Sequence, residues 1–144
     1  MTALPAPEWL ERGFTPREKL GLALEIVRAY ARARWLLWST DLQTAVAALR
    51  AGAPDAVGNP AYTRRAGLRL GRTVARVLGP LPFDSRCLLR SLVLIGLLAR
   101  RGIHSVLVIA VTSEPKFRAH AWVESDGVPL LEPAGPPFAR IVEL

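Results

Sequence analysis

The chain has 144 residues, 51% of them apolar, and a formal net charge of +7. That length suits one domain and that apolar content supports a core, which excludes a disordered chain. A single cysteine excludes an internal disulfide and points to a reducing cytoplasm.

In chain order, Thr15-Pro16-Arg17-Glu18 carries three helix-start signals: a capping residue, a proline for the first turn and a glutamate to close a capping box. The segment before it, with Pro5, Pro7, Glu8 and Glu11, lacks the apolar centre of a signal peptide. The first helix is predicted to run to about Trp38, with Leu20, Leu24, Val27 and Ala31 on one face. Trp35 and Trp38 at helical spacing read as core or as partner surface. Asp41 caps a second helix that ends near Gly52. Asn59-Pro60 opens a third, which Gly79-Pro80 stops. Arg64, Arg65, Arg69, Arg72 and Arg76 run along it as a basic stripe, either a solvated face or a contact for an acidic peptide. The net positive charge allows an acidic peptide, a nucleic acid or an anionic lipid as partner, or no partner at all.

Asp84 is the expected N-cap of a fourth helix and Gly102 its terminating glycine. Residues 87–99 between them are apolar nearly all round, which predicts a central, buried helix. The apolar run 91–99 is too short to span a bilayer. Beyond Gly102 the pattern turns to strands, over 105–111, 119–124 and 128–132, with a last short one near 139–142. The fold class is α+β in a single domain, residues 1–144. Helices occupy 1–80, and residues 81–144 hold a central buried helix packed on a small antiparallel sheet.

The chemistry centres on Cys87. A thiol acts as a nucleophile through its thiolate, and a helix N-terminus favours that anion through free N–H groups and the helix dipole. With Asp84 as cap, Cys87 falls in the first turn. Of the two histidines, His104 follows the helix C-terminus, about 21 Å from Cys87 at ~1.5 Å per residue. The strand after it runs back about 23 Å, which brings His120, at the start of the next strand, beside the thiol. A carboxylate should orient the imidazole. Asp126 sits at the hairpin tip, roughly 20 Å along the strand from His120. Glu132 lies opposite His120 if Ser125-Asp126-Gly127 forms a three-residue turn, pairing Glu124 with Val128; a two-residue turn would put Glu132 on the other face. The backbone N–H of Cys87 is the candidate oxyanion donor. Lys116, Phe117 and Arg118, on the loop at this end, and Trp122, on the His120 face, are candidate substrate contacts.

The stretch 83–94, with Asp84 and Cys87, and the stretch Ala119-His120-Ala121-Trp122-Val123-Glu124-Ser125-Asp126-Gly127 resemble the leader peptidases of lasso peptide biosynthesis, the protease half of the split B protein. The helical stretch from Thr15 through Trp38 is similar as well. The resemblance implies a transglutaminase-like, papain-like fold and a cytoplasmic cysteine endopeptidase with a triad of Cys87, His120 and Glu132. The wider superfamily has aspartate in the third place. It further implies a precursor peptide as substrate, a leader-binding recognition protein as partner and a macrolactam synthetase that takes the product. Neither a metal nor an organic cofactor is required, and neither nucleic acid nor a membrane span is expected. A transglutaminase-like acyltransferase and a non-catalytic basic binding module for peptide or nucleic acid are the alternatives.

Overall fold

Local signals mark several of the helix ends. The computed structural model describes residues 13–52, 60–79, 86–112, 118–125, 128–130 and 139–144. Helix α1 spans Pro16–Ser39 behind a complete capping box: Thr15 Oγ1 accepts from Glu18 N at 3.2 Å, and Glu18 Oε2 accepts from Thr15 N at 3.4 Å. Helix α2, Leu42–Arg50, starts where Asp41 Oδ1 accepts from Thr44 N at 2.7 Å. Helix α3 is Pro60–Leu78 and helix α4 is Arg86–Arg100. Gly102, at φ 71°, closes α4. Its N–H donates to Ala99 O at 3.1 Å, and Ile103 N donates to Leu98 O at 2.9 Å, a Schellman ending that needs left-handed backbone at the glycine.

Helix α4 is the centre of the molecule. Every residue from Ser91 to Ala99 is buried, and Leu92, Val93, Leu94, Ile95 and Leu98 expose nothing. α1, α2 and α3 pack around it, and β2 and β1 cover its remaining side. The sheet has the order β3-β2-β1-β4, with β1 Val106–Thr112, β2 Arg118–Ser125, β3 Val128–Pro129 and β4 Ala139–Glu143, all neighbours antiparallel. Leu107, Ala121 and Val123 face the helices, whereas Val108, Ala110 and Trp122 form a separate small cluster on the other face. Two polar ties hold the ends together. Arg50 Nη2 donates to Ser105 O at 2.6 Å and to Leu144 O at 2.9 Å, and Arg101 meets Glu25 through two nitrogen–oxygen contacts of 3.1 Å.

The apolar face that the spacing marks on α1 is not the one that packs inward. Leu20, Leu24 and Val27 are 64%, 52% and 54% exposed, and Trp35 and Trp38 continue that stripe at 60% and 85%. The buried stripe is Leu22, Ile26, Ala33 and Leu36. Both stripes have helical spacing, so periodicity alone does not choose between them. Ala33, fully buried, belongs to the stripe that packs inward, and Glu25 of the same helix meets Arg101.

The hairpin register also differs from expectation. Ser125 pairs with Val128 and Glu124 with Pro129, which leaves two residues between the strands instead of three. Leu130 N donates to Val123 O at 2.8 Å, so Glu124 and Pro129 form a pair outside the hydrogen-bonded positions of the ladder. Proline lacks an N–H, and this register puts it where none is needed. It also matches the preference of two-residue loops for Asp-Gly, the dipeptide at 126–127.

Candidate active site

Cys87 lies in the first turn of α4 as described, partly buried, with its carbonyl accepting from Ser91 Oγ at 2.7 Å. Its expected cap, Asp84, is outside the described residues. His104 is exposed at the opposite end of α4, where its carbonyl accepts from Ser125 Oγ at 2.9 Å. β1 then runs back along the helix, and Ala110 pairs with His120 on β2. The return path read from the sequence is thus the path the chain takes.

It ends in a cleft of about 500 Å³. Gly71 and Arg72 of α3, Cys87 and Arg90 of α4, His120 of β2 and Leu130 beyond β3 line it. The cleft is built by a close approach. A Cβ on Gly71 would stand 2.5 Å from Leu130 O, and one on Gly67 would stand 2.8 Å from Leu130 Cδ1. Two glycines one turn apart therefore let the chain after β3 lie against α3, closing one wall beside the thiol.

Partial burial pushes the His120 imidazole below its usual pKa of 6.5, because the charged form loses hydration. At neutral pH the ring is neutral and able to accept a proton. Behind it lies Trp122, 5% exposed, with ring centroids 6.1 Å apart and planes 29° apart. Trp122 Nε1 donates in turn to the buried Glu124 Oε1 at 3.0 Å. Trp122 therefore backs the imidazole and does not line the cleft, where a substrate contact would need to be. Glu124 was not among the candidates read from the sequence. The signal was there: His120, Trp122 and Glu124 at every second position of one strand share a face.

Glu132, Lys116 and Phe117 lie outside the described residues, and of Arg118 only the backbone, paired with Thr112, is described. The three-residue turn that would have set Glu132 opposite His120 is not the one formed, so a role for Glu132 does not rest on that register. Arg90 was also missed as a cleft residue. Its place, one helical turn beyond Cys87, is legible only once the thiol side of α4 is known to be open.

A family profile described as the transglutaminase-like superfamily matches residues 27–143, from within α1 to the last strand. No curated protein and no solved structure matches the chain significantly.

Proposed function

Because the chain belongs to the transglutaminase-like superfamily, which includes cysteine peptidases and acyltransferases, we propose that it is a cysteine endopeptidase that removes the leader from a ribosomally made lasso precursor peptide. The observation that carries the reading is the cleft shared by Cys87, at the start of a buried helix, and His120, on the strand that returns to it. The leader-peptide specificity draws on the resemblance of the two motif stretches to that enzyme family.

In this reading Cys87 Sγ attacks the carbonyl at the leader–core junction while His120 accepts the thiol proton. The oxyanion that forms takes a hydrogen bond from the backbone N–H of Cys87, a free donor in the first helical turn. His120 then protonates the leaving amine, and water frees the leader from the thioester with the same imidazole as base. Glu132 is the proposed orienting carboxylate only from the order of catalytic residues in the superfamily, since the two-residue turn does not set it opposite His120. Trp122, fixed by Glu124, restrains the ring from behind.

A leader-binding recognition protein is the proposed partner. Supporting it is the uncovered stripe of α1, from Leu20 to Trp38, an apolar surface of the kind that a protein partner covers. A macrolactam synthetase would take the freed core. Among the described residues, no helix is long and apolar enough to cross a membrane.

Incubation with candidate precursor peptides, with and without a leader-binding protein, tests the reading by mass spectrometry. Loss of the leader with gain of one water identifies a peptidase. A product joined to an added amine identifies an acyltransferase. An intact peptide under every condition would leave only the binding-module alternative.

A further inference from the structure

Arg90 carries an unmet donor near the thiol. Its Nε is buried and has no hydrogen-bond partner. The guanidinium lies against the end of α3, with Nη2 3.9 Å from where a Cβ on Gly79 would stand. Arg90 follows Cys87 by three positions on α4, which places both side chains on one helical face. Both line the cleft, and Arg72, exposed on α3, lines it too. Among the described residues that line the cleft there is no carboxylate. The Nε is enclosed by protein and is not reached from the cleft, but the Nη1–Nη2 edge of a guanidinium fits a carboxylate with two parallel hydrogen bonds.

We propose that the cleft contains an anion subsite beside the thiol, formed by Arg90 with Arg72 at its rim, which takes a carboxylate carried close to the carbonyl under attack. The carboxylate belongs to an acidic side chain next to the scissile bond or to a chain terminus; both present the same group to the fork. The subsite gives the enzyme its substrate class, acyl donors with a negative charge next to the reacting carbonyl. It rests on the reading of Cys87 as nucleophile.

Alkylation of Cys87 by iodoacetate and by iodoacetamide tests it, since the reagents are similar in size and differ by one charge. Sγ displaces iodide from either. The iodoacetate-to-iodoacetamide rate ratio is expected to stand about tenfold above that of N-acetylcysteine amide, the scale of one charge-assisted hydrogen bond. In Arg90→Met the ratio should fall most of the way to the free-thiol value, and in Arg72→Ala by about twofold, as for an exposed charge. Arg72→Ala changes an exposed residue, so it keeps the test decisive if Arg90→Met fails to fold by circular dichroism. A wild-type ratio no higher than that of the free thiol, or one that neither substitution lowers, overturns the proposal.

Two ligands then identify the source of the charge by slowing alkylation by iodoacetamide. Protection by N-acetylaspartate α-amide assigns the subsite to a side-chain carboxylate, and protection by N-acetylglycine assigns it to a chain terminus. Protection by neither overturns it. Failure of the underlying reading looks different: iodoacetamide would react with Cys87 no faster than with the free thiol, while the ratio stayed high.

Discussion

At the residue scale the proposed mechanism divides the site into groups that react and groups that hold them. Cys87→Ala and His120→Ala are each expected to lower leader removal by about 1000-fold or more, and the double variant should be little worse, because members of one catalytic unit are not additive. His104→Ala, at the far end of α4, should leave the rate within about twofold, as for a surface change remote from the chemistry. Cleavage assays on variants checked by circular dichroism decide; equal losses from the two histidines would refute the assignment. Glu132→Gln should cost less than either, about 100-fold, since an amide can still position the ring while stabilising its charged form poorly.

The pH dependence follows from His120. Burial lowers its pKa in the folded protein, so the unfolded chain binds the proton more readily. Stability from this group is therefore full above the unfolded value near 6.5 and is lost as pH falls through the lowered folded value. Activity should fall over the same acidic range as the base becomes protonated. A kcat/KM profile whose acid limb disappears in His120→Ala residual activity would show that this group sets it.

At the element scale the approach of the chain after β3 to α3 is the feature most open to test. Gly71→Ala would set a methyl 2.5 Å from the backbone oxygen of Leu130, which can move only if the chain backbone there does. The gain from helix propensity does not offset it, and a net loss of about 1–2 kcal/mol is expected. Gly67→Ala meets only the end of the Leu130 side chain, at 2.8 Å, which can rotate. It should be nearly neutral. Denaturant titration of both variants measures the contrast, and equal losses would mean that the backbone contact is not what limits the approach. Leu94→Ala, in the fully buried centre of α4, should cost about 2–5 kcal/mol by leaving a cavity.

At the scale of the whole molecule, one side of α1 is core and the other is bare apolar surface. Leu24→Ser and Trp38→Ser replace side chains that are 52% and 85% exposed, so each should change stability by less than about 0.5 kcal/mol. If a recognition protein covers this stripe, both substitutions should abolish most of its stimulation of cleavage while leaving the unstimulated rate in place. Kinetics with and without that protein check this, and undiminished stimulation of both variants would move the partner to another surface.

What the sequence determined is what short-range chemistry determines. The capping box at Thr15, the cap at Asp41 and the glycine at 102 act through hydrogen bonds spanning a few residues, and these three helix ends follow from them. The burial of α4 was legible because its residues are apolar all round, leaving no choice of face. That Cys87 and His120 line one cleft was legible because helix and strand have fixed rises, so that a returning strand of that length ends at the same end of α4 as Cys87. Only the tertiary structure decided which stripe of α1 turned inward, because two stripes had the same period and remote packing chose between them. It likewise decided the register of the hairpin, where Pro129 and the Asp126-Gly127 loop outweighed the three-residue turn. It alone brought Arg72 and Arg90 into the cleft, since whether a polar side chain on a helix meets solvent, a partner or an open site depends on what the rest of the chain places against it.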